Sequence, residues 1–470
     1  MSKKERGIAL EEIKNRIKHY KEEMIEDLEK LVSIPSIRNS SSSSRDAPFG
    51  QDIREAFDEF IKIGERSGFK VQEFDGYACH IEYGEQREYV GALGHLDVVS
   101  AGDHALWDSD PFTLTQRNGL LFGRGVNDDK GPLLAAFYAL KIIKDMEIPL
   151  GYSIRIIAGG AEETTWECMD HYFKNNEQPV MGFSPDGNFP IVNGEKGILQ
   201  FHVNFSNQKT KKHHVISKVH CTEERNFVCD FVEIQMDHVE EAVLRPYLLS
   251  ADEVQIKNNS ARIIYRGERS LSRNPQRGKN ALWKLAKDLQ DFPFSQVGMN
   301  QLLHYIDKYF INDFYGIKLG IHFEDEEMGS TSICPMSITL DESHFNLNVD
   351  YRYPKGVHKD QVISHLKKQA SQYQGEVIPF NEKNLLFVQE DSPLIVALKK
   401  AYQTVVREEA EVLTKGGASY ARTLKNGVAF GATFEGEDPK PHMPNEQMPV
   451  ESLLKACEIY VHAFIELAGK

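Results

Sequence analysis

Five residues of types that bind metal ions or move protons stand at turns scattered along this chain: His95, Asp128, Glu163, Asp186 and His442. The densest region is Gly123-Arg-Gly-Val-Asn-Asp-Asp-Lys-Gly131, a glycine-bounded turn between a short apolar run and the apolar segment 132–143. A turn of that kind between a strand and a helix presents short acidic side chains at one fixed point. Taken in isolation, Asn127, Asp128 and Asp129 would also serve simply as caps for a helix with Pro132 in its first turn. His95 and Asp97, in Gly94-His-Leu-Asp-Val-Val99, alternate along an extended segment and therefore share a face. A histidine beside a carboxylate suits a metal ligand whose partner fixes its tautomer, and it equally suits a buried structural pair. Glu162 and Glu163 are adjacent and point in different directions, so one can bind metal while the other faces a substrate. Nitrogen and oxygen donors of this set suit Zn²⁺, with Mn²⁺ or Co²⁺ as substitutes. A bridging carboxylate would hold two such ions roughly 3.5–4 Å apart and acidify a water between them. That chemistry hydrolyses an amide.

The elements that must position these residues follow from hydrophobic spacing. Residues 11–31 and 52–67 read as amphipathic helices, the first stopped at Pro35 and the second at Gly68. Residues 70–74, 89–93 and 152–157 read as strands, the last running toward Glu162 and Glu163. Another strand end leads to Asp186 through Ser184 and Pro185. From about Val192 the texture changes to alternating strands at 199–205, 231–236, 261–265 and 345–349, with helices at 279–289 and 358–373. The basic stretch 209–220 reads as a solvated loop. Helices at 393–408 and 450–467 follow, with a glycine-rich turn at 414–422 and His442 between them. The expected fold class is α/β: a discontinuous catalytic domain, 1–192 and 383–470, with an α+β lid domain inserted at 193–382.

With 470 residues, 41% of them hydrophobic, the chain can bury a large core. A formal charge of −15, with no basic block to offset it, disfavours nucleic acid and anionic membrane surfaces as partners. The first 21 residues are charged throughout and lack a signal peptide's apolar core, and no apolar run is long enough to span a bilayer. A cytoplasmic location is the expectation. Six scattered cysteines without CxxC spacing read as reduced structural thiols. Oligomeric state is not legible.

As an ordered set, Gly94-His-Leu-Asp97, residues 123–131, Glu162-Glu163, Ser184-Pro-Asp186 and His442 resemble the metal motifs of the dinuclear zinc peptidases. That family includes carboxypeptidase G, carnosinase, acetylornithine deacetylase and succinyl-diaminopimelate desuccinylase. Within it, Pro48-Phe-Gly50, Trp107, Pro111-Phe112, Trp166-Glu-Cys168, Gly194-Glu-Lys-Gly197 and Tyr420-Ala-Arg422 most resemble bacterial PepV-type dipeptidases. The resemblance spans nearly the whole chain. It implies two divalent ions bridged by Asp128, one completed by His95 and Asp186 and the other by Glu163 and His442. It further implies Glu162 as general base and later proton donor, and Asp97 as the residue orienting His95. Asn226 and Arg352 would contact a small peptide substrate from the lid, the Arg fork matching a terminal carboxylate.

The resemblance has gaps. The lid pattern Gly-x-x-x-His-x-x-x-Pro maps onto Gly267-Glu-Arg-Ser-Leu271-Ser-Arg-Asn-Pro275, so Leu271 stands where an oxyanion-donating histidine is expected. Loss of one such donor costs on the order of 10²–10³ in kcat. Ala161, Ala418 and Ser419 are smaller departures. Three readings therefore stand side by side: a metallodipeptidase, a metal-bound but silent peptide-binding relative, and an amidohydrolase acting on N-acyl amino acids.

Overall fold

The computed structural model describes residues 3–211, 213–222 and 226–470. The chain folds into two compact units, one formed by 1–194, 386–414 and 418–470, the other by 195–385 and 415–417.

The first unit is built on a mixed sheet. The strand Tyr89–His95 lies between Ser153–Gly159 and Met181–Ser184, parallel to both, and Gly427–Ala429 pairs parallel to Met181–Ser184. On the far side, Ala78–Tyr83 and Lys70–Phe74 add antiparallel strands. Every residue of Tyr89–His95 is buried, the signature of an interior strand of a parallel sheet covered on both faces. The helix Lys130–Asp145 is buried around most of its circumference. It packs on the strands Tyr89–His95 and Ser153–Gly159 and against the helices Lys3–Val32 and Val450–Ala468. Pro132 sits in its first turn, where a missing N–H costs nothing.

The second unit holds two four-stranded antiparallel sheets. One runs in the order Ser332–Leu340, His344–Tyr353, Gly197–Ser206, Glu376–Lys383; the other in the order Val215–Cys221, Phe231–Asp237, Ser260–Arg266, Glu253–Lys257. The helices Ala281–Leu289, Val297–Tyr309 and Lys359–Ser371 complete it, and its core is separate from that of the first unit. The chain is thus an α/β protein with an inserted α+β domain.

Several elements differ from the sequence reading or are absent from it, the helix Val297–Tyr309 and the strand Ser332–Leu340 among them. Val215–Cys221 is a strand, although residues 209–220 read as a loop; a register shift between Ile216 and Lys218 breaks the alternation that would reveal it. Ala78–Tyr83 is a further strand whose buried, non-alternating residues carry no period-two signal. All six cysteines are buried and free, and among the described residues no helix is long and apolar enough to cross a membrane.

Candidate metal centre

The acidic and imidazole residues singled out in the sequence meet at one edge of the first unit's sheet. His95 is the last residue of its strand, Glu162 and Glu163 follow Ser153–Gly159, and Asp186 follows Met181–Ser184. These are the carboxyl ends of three neighbouring parallel strands, where open α/β sheets bind their ligands. Asp128 closes the turn that opens Lys130–Asp145, and His442 lies in the segment before the strand Gln447–Pro449. Glycine permits close approach at two points. A Cβ at Gly94 would stand 2.3 Å from Asp129 Oδ2, and one at Gly131 would stand 2.1 Å from the Val126 carbonyl.

Asp128 is central in this geometry. Its Oδ1 lies 3.0 Å from His95 Nε2 and its Oδ2 lies 3.1 Å from His442 Nε2. His442 Nε2 is also 3.1 Å from Glu163 Oε1, and His95 Nε2 is 4.0 Å from Asp186 Oδ2. Among the described residues two groups have ligand atoms mutually within 4.8 Å: His95, Asp128 and Glu163, and His95, Glu162 and Asp186. Asp129 is the helix N-cap by position, but its side chain makes no capping bond; its Oδ2 accepts the His95 N–H at 3.2 Å.

Asp97 divides its work. The His95 Nδ1–H donates to the Asp97 carbonyl at 2.8 Å, whereas the nearer carboxylate oxygen is 3.5 Å away. The carboxylate oxygens instead accept the N–H groups of Glu162 and Glu163, each at 3.1 Å. One residue therefore fixes both the imidazole's tautomer and the acidic pair.

The electrostatics favour an added positive charge. Burial alone would raise the Asp128 pKa, but the two imidazoles hold it below the usual carboxylate range. Burial would lower the His442 pKa, yet Glu163 and Asp128 raise it to about 11, and His95 is likewise held well above its ordinary value against burial by Asp128 and Asp97. Glu162 is pushed well above the carboxylate range, by burial first, against the pull of His95 and with the repulsion of Asp186, Glu163 and Asp128. Four carboxylates face two imidazoles, and every donor is oxygen or nitrogen. That donor set fits divalent cations of the borderline kind.

A peptidase-family model, described as peptidase family M20/M25/M40, matches residues 91–466. The chain belongs to peptidase family M20/M25/M40. Membership in this metallopeptidase family implies divalent metal ions. This M20-family peptidase is 35% identical over 459 residues to a Bacillus subtilis (strain 168) protein named putative dipeptidase YtjP, covering 95% of the chain and 98% of the relative. It is 31% identical to a putative dipeptidase of Staphylococcus aureus (strain USA300), covering 97% and 99% of the two chains. Among solved structures its fold is similar to human carnosine dipeptidase 1, with TM-score 0.58, 18% identity and coverage of 97% and 99%. It is similar also to the Saccharomyces cerevisiae dipeptidase Dug1p, with TM-score 0.62, 14% identity and coverage of 97% and 98%.

Asn226 and Arg352 belong to the second unit of this M20-family peptidase and are linked there to one another. Gln200 Nε2 donates to Asn226 Oδ1 at 2.8 Å and to Asp350 Oδ1 at 3.0 Å, and Arg352 Nε donates to Asp350 Oδ2 at 2.8 Å. Leu271 lies beside them in the chain fold, bridged to Phe227. Two acidic residues near the centre escaped the sequence reading as site residues, Asp129 and Glu446. The signal available for Glu446 was a carboxylate closing His442-Met-Pro-Asn-Glu446, one helical turn's spacing beyond a candidate ligand on a segment that is not a helix.

Proposed function

We propose that this peptidase is a metal-dependent dipeptidase acting on unblocked short peptides. The observation that supports this best is the split of Asp128, one carboxylate oxygen toward each imidazole, with further carboxylates beside both. On this reading Asp128, together with His95, Asp186, Glu163 and His442, would hold two divalent ions, Zn²⁺ or in its place Mn²⁺ or Co²⁺. When bound, ions of this kind polarise a carbonyl and lower the pKa of water toward neutrality.

The chain's own residues carry the proton movements. Glu162, whose carboxylate lies within 4.8 Å of ligand atoms of His95 and Asp186, is suited by position to take a proton from the attacking water and return it to the leaving amine nitrogen. Asp97 holds the Glu162 backbone, so that this carboxylate keeps its aim through the cycle. Arg352, with Asn226, binds the substrate's terminal carboxylate; a guanidinium presents a planar fork for it.

Leu271 favours a second reading, a metal-bound relative of low or no turnover that still holds peptides. The experiment that separates these is hydrolysis of unblocked dipeptides against the same peptides N-acylated. Preference for the unblocked set supports the dipeptidase. Preference for blocked termini points instead to an N-acyl amidohydrolase, and binding without cleavage to the silent relative.

A further inference from the structure

Glu446 is fully buried and belongs to neither metal-capable group. Its Oε1 accepts the backbone N–H groups of Asn127 at 3.0 Å, Asp128 at 3.1 Å and Gly125 at 3.1 Å. Its Oε2 accepts the Gly125 N–H at 3.1 Å and Arg124 Nη1 at 2.7 Å. Its own carbonyl accepts the Gly123 N–H at 3.2 Å. One residue thereby gathers the turn that ends at Asp128. It does so from the segment that carries His442, and the pairing of Gln447 with Phe122 extends the same tie into a short sheet.

We infer that Glu446 is a positioning residue of the metal centre, setting the Asp128 turn and the His442 segment in mutual register. The inference rests on the dinuclear reading above. Every partner of the carboxylate is a donor, so both oxygens are used as acceptors and an amide in its place would turn an NH₂ group against at least one N–H. Arg124, only 1% exposed, supplies the counter-charge, and its other nitrogen Nη2 donates to the Ser100 carbonyl at 3.3 Å. Arg124 also lies over the Trp107 ring, 5.2 Å from its centroid, and the Trp107 Nε1–H donates to the Ala101 carbonyl at 2.9 Å. A buried ion pair of this kind is weak evidence for stability, since well-packed apolar residues often do as well, and its best-attested use is fixing register. Here the register it fixes ends on the backbone N–H of Asp128.

The test compares full-length wild type with Glu446→Gln, which keeps side-chain size. Three quantities are measured: Zn²⁺ or Mn²⁺ bound per chain at set free-metal concentrations, the melting temperature of the metal-free protein, and kcat and KM on a dipeptide. The expected result is metal affinity weakened by about 10–100-fold, the range for residues that orient metal ligands. KM is expected to hold and kcat to fall and recover in excess metal, while the metal-free melting temperature falls, because Arg124 is left buried without its counter-charge, by too little to account for the loss of metal affinity. Unchanged metal affinity overturns the inference, as does a loss fully accounted for by a lower metal-free melting temperature. If Glu446→Gln fails to fold, Glu446→Asp carries the same test, because it keeps the charge and withdraws the oxygens from the Asn127 and Asp128 amides. Wild type that binds no divalent ion sinks the dinuclear reading and this inference together. Wild type that binds two ions, matched by the variant, sinks this inference alone.

Discussion

Two buried acidic sites, one in each unit, are balanced in opposite ways. In the second, Asp350 is fully buried and its oxygens take Arg352 Nε at 2.8 Å, Ser272 Oγ at 2.7 Å and Gln200 Nε2 at 3.0 Å. Protein groups alone balance that carboxylate. In the first, Asp128, Glu162, Glu163 and Asp186 converge on two imidazoles that cannot neutralise them all, and the imidazole pKa values rise in response. A balanced network rigidifies a fold, whereas an open acidic cluster costs stability until a cation joins it. Chemistry is therefore to be sought at the cluster that protein groups alone leave unbalanced.

Substitutions put that contrast at risk. The largest effect is expected at Glu162. Glu162→Ala should lower kcat on a dipeptide by about 10²–10⁴-fold, the range of general acid–base catalysis, while bound metal measured by elemental analysis is unchanged. Because Glu162 lies within ligand distance of His95 and Asp186, a matching loss of metal would instead make it a ligand.

Next comes Leu271→His. Restoring an oxyanion donor should raise kcat about tenfold or more, with metal content and KM little changed. A flat response in steady-state kinetics would mean that another group already fills the role. Smaller again is Arg352→Lys, which swaps a fork for a point charge. KM should rise by about tenfold with bound metal intact, as expected for loss of a charged hydrogen bond. Metal loss in that variant would erase the distinction drawn between the two sites.

The smallest expected effect lies away from both networks. Burial first, and Arg155 next, hold the His80 pKa down at about 3 against an ordinary 6.5, and its Nδ1 lies 2.8 Å from the Tyr172 hydroxyl. His462 is likewise lowered, to about 4, by burial and then by Lys14. Both stay neutral in the folded chain, so the unfolded chain binds more protons below pH 6.5. Their contribution to stability is therefore complete above that pH and is lost progressively as pH falls toward the folded values. Melting temperatures should drop between pH 7 and pH 5, and His80→Gln should flatten the slope by a few degrees, on the order of 1 kcal/mol for a domain of this size. Equal slopes would contradict the assignment.

Much of this was legible in the sequence for local reasons. The helices at 52–67 and 450–467 showed in their apolar spacing and appear as Gln51–Arg66 and Val450–Ala468. The strand read at 70–74 is Lys70–Phe74, and that read at 89–93 runs on to His95 itself. What stayed hidden was non-local or locally irregular. Val215–Cys221 lost its alternation to a register shift. Glu446 acts on amides more than three hundred positions earlier in the chain, and no local pattern encodes that tie. Asp97 could be paired with His95 by alternation, but its grip on the Glu162 and Glu163 amides needed the pairing of two distant strands.

The decisive measurement is turnover of a panel of unblocked dipeptides by the full-length protein loaded with Zn²⁺ or Mn²⁺, stripped with a chelator, and loaded again. Cleavage should vanish on stripping and return on reloading in proportion to ions bound, up to two per chain. Cleavage that survives complete removal of the metal, or no cleavage with two ions bound, would contradict the metal-dependent dipeptidase.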